Sequence, residues 1–333
     1  MSLESFGHLS DGREVHRVTL SNGTLSVSLL TLGAIIQDVR LDGVDFPLTL
    51  GGRTARDYDG TMAHFGAIMG PVANRIRDAR AEIDGETLSF DPNQDGQHTR
   101  HGGKAAFHRK IWRITDRDDD SVTFTLDVED GEGGFPGKRR IEARYAIEGS
   151  SLIVELRGAT DKPTLMNLAC HGYWTMQPPG DWSGQHLRIA ADRYLPTTDD
   201  NLPTGEIADV AGTPYDFREG VTLDTRTAPK LDNNFCLAEE DREMTSVATL
   251  TGPTGLTLEV STTAPGLQLF GMGSFSVEED TIHGAPYPKF AGLAFEPQHW
   301  PDAPTHPAFP SIVLRPGDVY EQLSRYEFTR AAG

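Results

Sequence analysis

Cysteine is nearly absent from this 333-residue chain, which has only Cys170 and Cys236. Two thiols cannot build a disulfide framework or an all-cysteine zinc site, although a single bridge between them stays open. Long apolar runs are missing as well. No segment approaches the about 20 residues that span a bilayer. The first residues lack a basic stretch followed by an apolar one, so no secretory leader is expected. Basic charge is scarce: 30 Lys and Arg stand against 49 Asp and Glu, a formal net charge of -19. Such a field repels phosphate backbones and anionic lipid, which argues against nucleic acid and membrane as partners. Few cysteines and no leader fit a cytoplasmic protein.

Nucleotide and nucleophile fingerprints are also absent. There is no P-loop, no Rossmann G-x-G-x-x-G and no G-x-S-x-G. His98, His101 and His108 cluster in sequence, and Glu296 precedes His299. Yet no zinc or iron signature such as H-E-x-x-H accompanies them, so neither a metal nor a cofactor is expected.

Long amphipathic helical patterns are missing, and period-two alternation takes their place. Leu25, Val27 and Leu29 alternate with Ser26 and Ser28, and follow Val18-Thr19-Leu20 across Ser21-Asn22-Gly23, which reads as a hairpin. Val122, Phe124, Leu126 and Val128 form another alternating run. Ile141 to Ile147 leads through Glu148-Gly149-Ser150 to Leu152, Val154 and Leu156, a second hairpin; Leu256, Leu258 and Val260 add a further strand. With 35 Gly and 21 Pro punctuating the chain, short strands and frequent turns point to an all-β sandwich or barrel of antiparallel sheet. The stretches Gln177–Gly184 and Leu195–Gly205 read as long surface loops. No linker divides the chain, so residues 1–333 are expected to form one large β domain.

Several residues have the chemistry of a sugar site. Glu296 ends the apolar run Gly292-Leu293-Ala294-Phe295, expected to be a buried strand, and is followed by Pro297, Gln298, His299 and Trp300. A buried carboxylate needs a partner or changes its pKa. The same segment suits a structural Glu at a strand end equally well. His171 sits between an apolar run and the aromatics Tyr173 and Trp174, and His101 opens His101-Gly102-Gly103. Imidazoles titrate near neutral pH; the alternatives are a core histidine and a turn histidine. Asn74 and Arg75 end a run of small and apolar residues. Asp232 lies in Leu231-Asp232-Asn233-Asn234, which also suits an Asx-turn, and Gln268 is polar within an apolar strand.

In their order along the chain, these segments resemble the aldose 1-epimerase (galactose mutarotase) family from about Gly33 to Phe328. Val72-Ala73-Asn74-Arg75-Ile76 resembles its first motif, His101-Gly102-Gly103 its HGG, and Gly134-Phe135-Pro136-Gly137 its G-F-P-G loop. Asn167-Leu168 with His171-Gly172-Tyr173 is similar to its N-L-x-x-H-x-Y segment. Pro265-Gly266-Leu267-Gln268, Phe295-Glu296-Pro297-Gln298 and Leu314-Arg315-Pro316-Gly317 resemble its closing motifs. The resemblance implies a large antiparallel β-sandwich, the mutarotase-like supersandwich, with an open sugar cleft. It implies Glu296 as general base, His171 as general acid and His101 as an assisting histidine. It assigns Asn74, Arg75, Asp232 and Gln268 to sugar hydroxyls.

The reaction implied is interconversion of the α and β anomers of a free aldose such as galactose or glucose, by a monomer or weak homodimer. A carboxylate and an imidazolium suit it, because the C1 hydroxyl must lose a proton while the ring oxygen gains one. A protonated His171 calls for a nearby negative charge, such as Glu296.

The chain departs from the family's pattern at Gly70-Pro71, Arg100, Cys170, Trp174-Thr175 and Phe270-Gly271-Met272-Gly273. These positions are expected to flank the cleft, Trp174 above all, and so to bear on which sugar fits. The competing readings are a non-catalytic sugar-binding sandwich, a sugar-phosphate epimerase with Arg100 and Lys104 as a phosphate clamp, and a glycosidase. The last would need Glu296 and Asp232 roughly 5–10 Å apart.

Overall fold

Alternating apolar residues build the sheets they announce. A computed structural model describes residues 3–178 and 180–330. The ends of the expected 1–333 span, and position 179 of the Gln177–Gly184 loop, lie outside them. In strand Ser121–Val128, Val122, Phe124, Leu126 and Val128 are all buried while Asp127 is exposed. Strands Glu14–Ser21 and Leu25–Leu30 pair antiparallel across the first expected turn. There Asn22 Oδ1 accepts the N–H groups of Thr24 and Leu25, and Gly23 takes φ 86°. That left-handed conformation favours glycine. Arg139–Glu148 and Ser151–Thr160 form the second hairpin.

Three sheets hold most of the strands. One has four strands, from Leu3–His8 to Ile36–Leu41. One has nine, running from Arg113–Arg117 through the two long hairpin strands and Tyr320–Thr329 to Val221–Thr222. The third has six, in the order Tyr173–Trp174, Leu293–Gln298, Gly266–Gly271, Asp232–Cys236, Arg193–Tyr194 and Ala208–Asp209. All ladders between these strands are antiparallel. Among the described residues the only helices are short 3-10 turns, the longest Ala55–Asp59. None is long and apolar enough to cross a membrane. The architecture is the all-β antiparallel sandwich that the sequence implies.

One core cluster joins the three sheets. It includes Val27 and Val39 of the four-stranded sheet, Phe124, Leu258 and Tyr326 of the nine-stranded one, and Leu267, Leu269, Leu293 and Phe295 of the six-stranded one. Trp174, fully buried, stacks on Tyr326 with ring centroids 5.0 Å apart and packs against Phe328. Truncating so large a core side chain costs about 3–5 kcal/mol. Trp174 is therefore a core residue, and the expectation that it shapes the cleft is corrected.

The six-stranded sheet positions the site. Side chains alternate across a strand, so Leu267, Leu269, Phe295 and Phe235 face the core. Gln268 and Glu296, directly opposite each other in the ladder, take the other face, with Asp232 opposite Phe270 in the next pair of strands. Pro297 is tolerated because the neighbouring strand Tyr173–Trp174 pairs only with Leu293 and Ala294. Where no strand follows, the Pro297 carbonyl accepts the Gln322 amide at 2.9 Å.

Candidate active site

Strands and connecting turns converge over the polar face of the six-stranded sheet. They enclose a cleft of about 340 Å³ lined by Asn74, Arg75, His101, His171, Asp232 and Glu296, with Arg100, Tyr173, Phe270 and His64 among the other walls. Six of the seven residues singled out from sequence thus meet in one place. The seventh, Gln268, joins them from below, donating its amide to Asp232 Oδ1 at 2.8 Å.

Glu296 occupies the middle of a strand in which every residue is buried. His171 lies between the short strands Ala169–Cys170 and Tyr173–Trp174. Its backbone is fixed by its N–H to the Ala67 carbonyl and by the Gly66 N–H to its own carbonyl, both 2.9 Å. These elements bring His171 Nε2 to 3.5 Å from Glu296 Oε1, with side chains only 4% and 3% exposed. Burial pushes the Glu296 carboxyl up to about 8, helped by the charge of Asp232 and opposed by Arg100 and Arg75. Burial also holds His171 well below its ordinary value. Burial therefore favours a neutral acid beside a neutral imidazole over the carboxylate and imidazolium expected from sequence. The two forms hold the same number of protons and differ only in where one proton sits.

His101 has a defined tautomer. The Asn74 N–H donates to its Nδ1 at 3.2 Å, and the His101 N–H returns to the Asn74 carbonyl at 2.8 Å. With Nδ1 an acceptor, a neutral His101 carries its proton on Nε2. Both residues are left-handed, Asn74 at φ 60° and His101 at φ 50°. Behind them Gly102 has φ 83°, and a Cβ there would sit 2.3 Å from the Gly70 carbonyl oxygen. The glycine of the HGG segment is thus required by close backbone approach. The departure at Gly70-Pro71 lies under this turn.

Arg75 is buried and spans the cleft wall. It donates Nη1 to Asn74 Oδ1 at 3.1 Å and Nε to Gln94 Oε1 at 2.8 Å, and its Nη2 stands 4.0 Å from Asp232 Oδ2. Asp232 opens its strand facing the cleft, in place of the Asx-turn alternative.

His64 was not singled out from sequence. It lies in the turn-rich segment Gly60–Gly66, where no periodicity marks it. Its ring is 5.0 Å from His101, 4.8 Å from His108 and 6.0 Å from His171. Burial lowers it to about 3. Burial also holds His101 and His108 well below their ordinary values.

His98 lies apart from this group, buried and accepting the Asp78 N–H on Nδ1 at 3.0 Å. Among the described residues no group of three or more His, Cys, Asp or Glu side chains is arranged to hold a metal ion.

Of the other expected positions, Arg100 and Phe270 do line the cleft. Lys104 does not: its side chain is 81% exposed and pairs with Asp91 at 3.2 Å. Lys230, unremarked in the sequence, lines the cleft and bonds to Asn201. Cys170 and Cys236 are both free and buried.

The chain matches the family model for aldose 1-epimerase over residues 16–327. Among similar proteins, the galactose mutarotase of Mus musculus is 32% identical over 98% of both chains. The aldose 1-epimerase of Escherichia coli (strain K12) is 33% identical over 96% of both. A crystal structure of an aldose epimerase homologue from C. elegans superposes with a TM-score of 0.87 at 27% identity, covering 95% of this chain and 99% of its own. A galactose 1-epimerase from Lactobacillus acidophilus NCFM gives 0.84 at 25% identity, covering 99% of each. Matched almost end to end in sequence and in fold, this chain belongs to the aldose 1-epimerase family.

Proposed function

We propose that the protein is a mutarotase, an isomerase that interconverts the α and β anomers of a free aldose such as galactose or glucose. In this reading Glu296 takes the proton of the C1 hydroxyl while His171 gives one to the ring oxygen. The C1–O5 bond breaks, the aldehyde forms, C1–C2 rotates and the ring closes on the other face. Closure reverses both transfers: Glu296 returns a proton to the carbonyl oxygen and His171 takes one from the C5 hydroxyl. Each transfer is worth about 10²–10⁴-fold. No electron or group leaves the sugar, so side chains suffice for the chemistry.

The observation that carries this reading is the buried pair at 3.5 Å and the direction in which burial shifts it. Ring opening starts from carboxylate and imidazolium and ends with carboxyl and imidazole. The second arrangement is the one burial favours, so the site stabilises the protonation state of the open-chain form. His101 presents its Nε2 proton beside this centre and assists at the ring oxygen. Asn74, Arg75 and Asp232 hold hydroxyls, and Gln268 supports Asp232. A non-catalytic sugar binder would gain nothing from burying a carboxyl against an imidazole, since burial of ionisable groups costs stability.

We further read the chain as one β domain, because a single core cluster joins its three sheets. Two free, buried thiols fit a cytoplasmic setting.

The test is to add freshly dissolved α-anomers of a panel of aldoses and follow optical rotation. Acceleration over buffer is expected for at least one. Glu296→Gln should cut that acceleration by about 10²-fold or more while sugar still binds. No acceleration for any aldose would overturn the reading.

A further inference from the structure

We infer that Asp302 is a positioning residue for the reaction, holding the Asn74–Arg75–His101 wall of the cleft at its working distance from Glu296. The inference rests on the mutarotase reading and concerns the segment after Glu296.

That segment leaves the six-stranded sheet at Gln298 and crosses to the opposite wall. The crossing is tied down at each step. Asn167 Oδ1 accepts the His299 N–H at 2.9 Å, and Asn167 Nδ2 donates to the His299 carbonyl at 3.1 Å. Trp300 Nε1 donates to the Pro265 carbonyl at 3.0 Å, next to the strand of Gln268. Asn167 also bonds through its backbone to Pro71 and Ala73, at 2.8 and 2.7 Å. The strap is thereby attached to the chain that enters Asn74.

Asp302 completes the attachment on the far side of Asn74. Its backbone N–H donates to the Arg75 carbonyl at 3.2 Å. Its carboxylate accepts the Arg77 N–H on Oδ1 at 2.8 Å and Arg77 Nε on Oδ2 at 3.2 Å. His306 Nε2 stands 3.3 Å from the same Oδ2. The Arg77 guanidinium is itself anchored on the Pro203 carbonyl at 2.7 Å. Asp302 thus grips the backbone on both sides of Ile76, one residue beyond Arg75.

The Asp302 side chain is 0% exposed, and the residue is left-handed at φ 57°. A fully buried carboxylate in a disfavoured backbone conformation is held only where its surroundings over-determine it. Here those surroundings are the backbone of the hydroxyl-binding wall. Displacing that wall by about 1 Å would cost about 10²-fold in rate.

The test is a double-mutant cycle of Asp302→Ala and Asp302→Asn against Arg75→Ala. kcat and KM are read by polarimetry, with melting temperature measured alongside. Wild-type activity is measured first: its absence would defeat the proposed function and this inference with it, whereas an active wild type leaves the cycle to test Asp302 alone. Asp302→Ala is expected to lower kcat/KM by about 10²-fold. In the Arg75→Ala background the same change should cost clearly less than in the wild type, because the part of the loss that passes through Arg75 is already gone and only the part through Asn74 and His101 is left.

Asp302→Asn keeps an acceptor for the Arg77 N–H but sets an amide against Arg77 Nε and His306. Its activity should fall between those of the wild type and Asp302→Ala. If Asp302→Ala does not fold, the Asn variant decides through the same cycle. Equal losses from Asp302 substitution with and without Arg75 would overturn the inference. So would an Asn variant with wild-type kinetics.

Discussion

Gln268 reaches Asp232 along the sheet face at 2.8 Å, while its ladder partner Glu296 stands directly opposite it. In the proposed mechanism the direct ladder neighbour of the base therefore supports the carboxylate that binds hydroxyls and not the base itself. Gln268→Ala removes one hydrogen bond to a buried charged group, worth about 1.5–3 kcal/mol. We expect sugar KM to rise roughly tenfold or more, by that energy, with kcat changed less. Steady-state polarimetry distinguishes this from a loss confined to kcat, which would place Gln268 in the proton transfers.

Glu296 should destabilise the fold at high pH. Burial raises its pKa from an ordinary 4.5 to about 8. Between those values the native state keeps a proton that the unfolded chain has released. Its contribution to stability is therefore full below pH 4.5 and is lost as pH rises through about 8. Glu296→Gln should melt above the wild type at pH 8, and the gap should close as pH falls toward 4.5. Thermal melts at the two ends check this; a gap independent of pH would contradict it.

The histidine group acts in the opposite sense. His101, His108 and His171 are held well below the ordinary 6.5 by burial, and His64 is lowered to about 3. Below pH 6.5 the unfolded chain binds protons that the native state refuses, so their contribution is full above 6.5 and falls with acid. His108 is buried, and neither of its ring nitrogens has a partner. His108→Phe should flatten the acid limb of the stability curve by about 1.4 kcal/mol per pH unit, the value of one proton. Denaturant midpoints at several pH values below 6.5 measure the slope. An unchanged slope would show that His108 takes up no proton on unfolding.

Gly102→Ala should harm both fold and site. The added Cβ would approach the Gly70 carbonyl oxygen to 2.3 Å in a left-handed backbone. Such strain costs about 1–3 kcal/mol. Because the neighbouring His101 sits on the same turn, activity should fall further than stability alone explains. A lowered melting temperature with unchanged kcat would contradict this.

The strands were legible because burial on one face leaves a period of two in sequence, as in Val122 to Val128 or Leu25 to Leu29. The cleft residues were legible through ordered motifs. What was not legible depended on sheet order and register. Nothing local to Gln268 says that Asp232 lies within reach, since 36 residues separate them and an intervening strand order decides the contact. Trp174 misled because an aromatic beside a site residue reads the same whether it faces ligand or core. The short strand it occupies turns it toward Tyr326 and Phe328. His64 carried no signal at all, being a turn residue that only the packing of Gly66 and Ala67 against His171 brings to the cleft.

Cys170 immediately precedes His171 and lies in the core, with a thiol that burial pushes up to about 12. A thiol so far from ionisation reacts with alkylating reagents only when its strand opens. The rate at which Cys170 is labelled is therefore a clock for the opening of the segment that carries His171. If bound sugar bridges the cleft walls, saturating sugar should slow that clock. The chain thus carries its own reporter of how firmly the cleft is held, one residue from its centre.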